Sequence, residues 1–506
     1  MRPSSRLIVV LGAGIAALLV VIAGGAGFTL RAARAAAKDS VSIGMTLEPP
    51  GLDPTAAAAA AIGEIVHYNI FEGLTKIEQD FSVTPLLAEK WTFSPDLKTL
   101  TFTLRKGVKF QDGEPFTSKD VKFSFERAAA KDSTNKDKAF FASIASIDAS
   151  DPDVVTLNFK APSYQALFHL GLNTAVILDE KSAASEATHP VGTGPYRLSS
   201  WSRGASATLD QWDGFRDAGK IAIAHATFRF ISDPSAQAAA LLAGDVDAFP
   251  RFQAVQNLAQ FQSDPRFRVM IGGSEGKTIV AINNQRKPLD DLRVRQALAY
   301  AIDRKAIIDG VENGLAQPIG SHLTPNDPGY VDLTGVYPYD PEKAKALLRQ
   351  AGVTPPLRLT LTLPPPDYAR KGGEIVAAEL AEVGIEAKIE DVEWAQWLSG
   401  VYKAHNFDLT IISHVEPLDI GVYANPDYYF QYDSQTFRDI FARVEAAPDL
   451  DAFKQAIGDA QRQIVKDCVN VFLFQYPNVA VADAKLAGLW RNAPIFANDL
   501  SAMSWK

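Results

Sequence analysis

Apolar Leu100, Phe102 and Leu104 alternate with polar Thr101, Thr103 and Arg105, the period-two pattern of a strand with one buried face. Gly107 breaks the run and Asp112-Gly113 supplies a turn. Thr117 or Ser118 then caps a helix, Asp120 returns the capping bond, and Val121, Phe125 and Ala128-Ala129 form the apolar stripe. The same punctuation recurs down the chain. Asp233-Pro234 opens a helix that stops at Gly244. Asp290 or Asp291 caps one carrying Val294, Ala297, Leu298, Ala301 and Ile302. Asp340-Pro341 caps another, with Ala344, Leu347 and Leu348 inward and Gly352 at its end. Strands are predicted over 357–363, 387–389 and 407–413, and helices over 375–382 and 394–404. This alternation predicts an α/β fold of mostly parallel sheets covered on both faces. Binding crevices in such folds open at strand carboxyl ends or between domains.

The start of the chain departs from this rhythm. Arg2 and Arg6 precede an uncharged, mostly apolar run from Leu7 to Leu30, followed by Arg31, Arg34 and the tract Ala35-Ala36-Ala37. That order describes a cleavable secretory signal peptide over 1–37, cut after Ala35 or Ala37. The run is also long enough for an uncleaved anchor, but its glycines and the alanine tract favour cleavage. Without the leader's arginines, the 50 basic residues fall to 46 against 59 acidic ones, a net charge of −13. This argues against nucleic acid and anionic lipid as partners. The single cysteine, Cys468, rules out an intramolecular disulfide and reads as a small buried hydrophobe. No cysteine follows the apolar run to carry a lipid, so the expected location is the periplasm, in soluble form. At 506 residues and 47% hydrophobic content, the chain has room for two or three domains.

Catalytic chemistry is expected to be absent: no nucleophile elbow, zinc-binding helix, phosphate loop or C-x-x-C pair. Gly12-Ala13-Gly14-Ile15-Ala16-Ala17 matches a loose dinucleotide pattern, but it lies inside the leader. The histidines are scattered and predict no metal site; no cofactor is expected. His414 is kept as a candidate because it falls at the carboxyl end of its strand.

The stretch from Leu86 to Ala128 resembles the signature region of the family 5 solute-binding proteins of ABC importers, the oligopeptide-, dipeptide- and nickel-binding group. Further likenesses follow in the family's order: Pro49-Pro50-Gly51-Leu52-Asp53-Pro54, Phe71-Glu72-Gly73-Leu74 and Val191-Gly192-Thr193-Gly194-Pro195-Tyr196. Then come Leu242-Ala243-Gly244-Asp245-Val246-Asp247, the segment Asn283 to Ile307 and Asp340-Pro341-Glu342-Lys343-Ala344. The resemblance implies a type II periplasmic binding protein of two lobes with an extra subdomain. Lobe I would comprise 38–83, 189–277 and 477–506; the subdomain 84–188; lobe II 278–476. A monomer would close on a small-molecule or peptide ligand between its lobes and deliver it to an inner-membrane ABC permease and its ATPase.

In peptide-binding relatives, an acid after a late strand pairs with the ligand's ammonium. Here that segment is His414 to Tyr432, and the resemblance implies Asp419 first, Glu416 second. The surrounding Ser413-His414-Val415-Glu416-Pro417-Leu418 departs from the tryptophan and Asp-rich wording of those relatives. An oligosaccharide, an opine or a nickel chelate touching His414 therefore stands beside a peptide as ligand, and an exported hydrolase is the reading from another class. Trp394, Trp397 and Tyr423 are candidates for a stacking wall or for lobe core. Tyr196 and Asn69 are candidates from the other lobe, and Arg251 and Arg286 are candidates for a ligand carboxylate.

Overall fold

A computed structural model describes residues 38–506 apart from Ala58 and Tyr164; the leader and the dinucleotide-like pattern lie outside the described residues. An eleven-stranded sheet runs through the molecule. From one edge it passes through Ile385–Asp391, Leu357–Leu363 and Leu409–His414 to two long strands, Phe267–Ile282 and Val471–Asp483. It continues through Ala248–Phe249, Ser40–Met45, His225–Phe230 and Ser206–Gln211 to Tyr196–Ser202, while Gln317–Pro318 pairs with Val471–Asp483 off this path.

The mostly parallel sheet predicted from the strand–helix rhythm is not what forms. Parallel pairing is confined to Leu357–Leu363 with both its neighbours and Ser40–Met45 with both of its own. The remaining ladders are antiparallel. Connection length explains one of these ladders. Tyr196–Ser202 and Ser206–Gln211 are joined by a tight turn through Gly204 at φ 75°, and only antiparallel neighbours can be joined so briefly. The two long strands also run antiparallel to each other over most of their length.

Those strands alternate between cores. Val280 and Ile282 enter one cluster with Leu298, Leu361 and Ile411, while Ile279 and Ala281 enter another with Trp397, Tyr423 and Ile457. This is the period of two in a strand buried on both faces. Toward the start of Phe267–Ile282, Phe267 and Val269 pack with Phe249, Phe261 and Val481. Val41, Ile43, Tyr196 and Phe228 form a further core beside it. A separate antiparallel sheet of Ala88–Phe93, Thr99–Leu104, Val154–Phe159 and Ile144–Asp151 encloses Leu100, Phe102 and Leu157 under the helix Ser118–Ala129.

Local signals set the helix ends. Thr117 and Asp120 form the reciprocal capping box, with the Thr117 amide donating to Asp120 Oδ2 at 2.7 Å. Asp233, Asp291 and Asp340 cap their helices, and Gly244 ends the first of these at φ 77°. The helix predicted over 375–382 begins earlier, as Asp367–Glu382. Its first half contains Gly372-Gly373, which propensity alone disfavours. A Cβ on Gly373 would lie 2.3 Å from Leu363, so close packing against the sheet compensates. The helix predicted over 394–404 is one α turn, Trp394–Trp397, continued in π geometry through Leu398–Lys403. No helix among the described residues is long and apolar enough to cross a membrane.

Candidate functional site

The pairing of the two long strands breaks at one place. Gly273 faces Pro477 and Lys277 faces Gln475, so Ser274, Glu275 and Gly276 stand against Tyr476 alone. This bulge lies where the strands leave one group of cores for the other and re-aims its side chains. Beyond it Lys277 also pairs with His414 on the adjacent strand. Residues directly opposite share a face, so Lys277, His414 and Gln475 point the same way.

Lys277 is fully buried, yet its ammonium is satisfied. It lies 2.9 Å from Asp419 Oδ1 and donates to the Glu416 carbonyl at 2.6 Å. Asp419 Oδ1 is 3.2 Å from His322 Nε2, and its Oδ2 is 3.2 Å from His414 Nδ1. Asn470 donates to the Tyr423 hydroxyl at 2.9 Å, and that hydroxyl lies 3.0 Å from His322 Nδ1. The hydroxyl therefore donates to Nδ1, which leaves the His322 proton on Nε2, facing Asp419. His414 Nε2 meets the Tyr429 hydroxyl at 2.9 Å.

The charges follow from these contacts. Burial alone would raise the Asp419 carboxyl, but Lys277, His322 and His414 outweigh it and hold the group well below the usual range. Burial opposes the Lys277 charge, and the acidic groups around it, Asp419 foremost, outweigh that and keep the ammonium. Burial pushes His322 down to about 4, so it stays neutral. The nitrogen and oxygen atoms of His322, His414 and Asp419 approach within 4.8 Å of one another, close enough to consider a metal. The donor set does not fit one. Asp419 already carries the Lys277 ammonium, and a cation there would face that buried charge directly.

Asp419 and His414 thus meet in one network. Tyr423 joins through its hydroxyl and Glu416 through its carbonyl, while the Glu416 side chain is exposed. Trp397 is buried, its indole donating to Thr410 Oγ1 at 3.0 Å, whereas Trp394 is 42% exposed. Tyr196 and Asn69 lie in another core. The Tyr196 hydroxyl donates to the Ile223 carbonyl at 2.8 Å, and Asn69 bonds the main chain of Ile65, Asn498 and Leu500. Arg251 pairs with Glu64 and Arg286 with Asp408.

Sequence reasoning missed Lys277, His322, Glu275 and Asp327. A signal for the first and third was present: Glu275 and Lys277 are charged residues in a run otherwise built for a buried strand. It also missed that Gly272-Gly273-Ser274-Glu275-Gly276 has G-x-S-x-G spacing. The chain therefore does carry an elbow-like spacing, against expectation, but the structure gives the motif no elbow. A nucleophile elbow turns sharply from strand to helix; this segment lies within Phe267–Ile282, and the Ser274 hydroxyl donates to the Tyr476 carbonyl at 2.7 Å.

Leu418, beside Asp419, holds a left-handed backbone at φ 54°. Its side chain packs against the aromatic cluster that holds Tyr423 and also against a cluster formed by Tyr68, Phe168, Leu172 and Ile495. The segment after His414 thus touches a core built from distant parts of the chain.

Two groups of cores joined by crossing strands, with a charged network at the crossing, define a two-lobed α/β binding protein of the periplasmic type II fold. The profile of the bacterial extracellular solute-binding proteins, family 5, matches residues 82–437, and the chain belongs to that family. The glutathione-binding protein GsiB of Salmonella choleraesuis is 31% identical over 372 residues, 71% of each chain. HbpA2 of Haemophilus parasuis superposes with a TM-score of 0.85 at 22% identity, covering 92% of this chain and 100% of its own. AgaA of A. tumefaciens R10, solved with agropinic acid, superposes with a TM-score of 0.76 at 25% identity over 92% and 99%.

Proposed function

We propose that this protein is the periplasmic receptor of an ABC importer, capturing a peptide or peptide-like solute between two lobes and presenting it to the membrane permease. The observation that carries the reading is the buried polar network at the strand crossing, from whose edge Leu418 packs against the separate core around Tyr68. Ligand would stabilise the closed arrangement of the lobes, and the closed form would engage the permease. The lobes are 38–83 with 189–277 and 477–506, and 278–476; residues 84–188 form the attached subdomain. The protein works as a monomer without catalysis. The kinship with GsiB supports a small peptide such as glutathione as ligand. Asp419 bears on binding indirectly, because its charge is matched by Lys277; it fixes the shape of the 414–432 segment.

Isothermal titration of the purified protein against glutathione, a panel of di- to tetrapeptides and agropinic acid tests this. Saturable heat with a peptide is expected. Heat from agropinic acid alone would replace the peptide by an opine, and turnover of any peptide or ester would return the protein to the hydrolases.

A further inference from the structure

Glu275 sits in the bulge at the strand crossing, 4% exposed, and neither carboxylate oxygen has a hydrogen-bond partner. Its surroundings share the deficit. Asp327, also 4% exposed, accepts from the Thr324 amide at 2.6 Å through Oδ2, while its Oδ1 has no partner. Gln475 donates to the Ser274 carbonyl at 2.8 Å, and its Oε1 is likewise unmatched. Gly273 allows this convergence: a Cβ there would lie 2.2 Å from Gln475 Nε2 and 2.4 Å from Asn326 Nδ2.

The charged groups acting on Glu275 are Lys277 on its own strand, Asp327 on the loop after Gln317–Pro318, and Asp419 on the segment after His414, flanked by His322 and His414. One ammonium therefore faces three carboxyl groups, and that ammonium is engaged by Asp419 and the Glu416 carbonyl. The unmatched atoms of Glu275, Asp327 and Gln475 are all acceptors. A buried carboxylate without a counter-charge is strongly disfavoured, so Glu275 is met either by a proton or by a donor with positive charge.

We infer that Glu275, supported by Asp327, is the residue that receives a cationic group of the ligand, an ammonium or guanidinium, and that it holds a proton until that group arrives. The inference rests on the proposed binding function and names the chemistry selected at its inner wall. Burial, reinforced by Asp327, pushes the Glu275 carboxyl well above its ordinary range, in keeping with a neutral acid in the free protein. Entry of the cation shifts the balance: the Glu275 proton leaves to solvent, and the carboxylate then pairs with the ligand.

The test titrates wild-type protein, Glu275→Gln and Asp327→Asn with glutathione, tri-alanine and tripeptides containing lysine or arginine. Each peptide is paired with its N-acetylated, acetyl-lysine or citrulline counterpart, in two buffers of different ionisation heat near pH 7. The expected result is release of about one proton on binding a cationic member and at least about 30-fold weaker binding of the neutral counterpart. Glu275→Gln should lose a similar factor and release no proton, with its circular dichroism unchanged. Equal affinity in Glu275→Gln, or equal binding of neutral counterparts, overturns the inference while leaving the peptide reading intact. If no member binds, the peptide reading falls, and infrared spectroscopy of the free protein decides the rest. A protonated-carboxyl band at neutral pH that vanishes in Glu275→Gln supports the inference; its absence from the wild type overturns it.

Discussion

At the scale of the residue, Lys277 and Asp419 show how a buried pair persists. The two charges lie 2.9 Å apart, Lys277 also donates to the Glu416 carbonyl, and His322 and His414 each stand 3.2 Å from the Asp419 carboxylate. Breaking such a pair from one side leaves an uncompensated buried charge. Lys277→Met should therefore lower stability by about 3–5 kcal/mol, read from the urea midpoint, while Lys277→Met with Asp419→Asn should recover much of the loss. The pH response follows from the sign. The Asp419 carboxyl is held low, so its contribution is present above the ordinary carboxylate range and lost as pH falls through the depressed value. Glu186 behaves oppositely. Burial pushes its carboxyl up to about 7, against hydrogen bonds from Ser182 and the Val191 amide. Its contribution is complete below the ordinary glutamate value and declines as pH rises toward about 7. Glu186→Gln should flatten that decline and raise stability at pH 8 by about 2–3 kcal/mol, measured as unfolding midpoints at pH 5 and pH 8.

At the scale of the element, signals lying within a turn or two were legible and distant ones were not. The helix Ser118–Ala129 has its cap, its return bond and its stripe within one short window, so its start could be read from Thr117 and Asp120. The early start of Asp367–Glu382 could not, because Gly372-Gly373 is favourable only once Leu363 lies against it. Parallel pairing was over-predicted for the same reason, since a strand's direction is set by the neighbour it finds. The crossing strands make an element-scale prediction. A Cβ on Gly272 would lie 2.1 Å from the Arg491 carbonyl oxygen, a backbone atom that cannot rotate away. Gly272→Ala should cost about 1–3 kcal/mol through overpacking, and a thermal melt should show it while Gly219→Ala, with open space at its Cβ, changes little.

At the scale of the whole molecule, the behaviour to test is closure. Leu418 packs against both the aromatic cluster of one core and the separate core around Tyr68. Small-angle scattering should show a smaller radius of gyration when the protein is saturated with its ligand. Leu418→Ala should shift the free protein toward larger radii and weaken binding about tenfold, the equivalent of about 1.4 kcal/mol. The sequence by itself determined the helix caps, the strand periodicities, the acidic balance and the ordered motifs that place the chain in its family, since each depends on residues close together or on composition. It pointed to His414, Glu416, Asp419 and Tyr423, but could not say that Asp419 is matched by Lys277 or that His322 is oriented by Tyr423, 101 residues away. Nor could it say that Glu275 is left without a partner. Those facts belong to the tertiary structure, because a side chain's charge and hydrogen bonds are fixed by what packs against it.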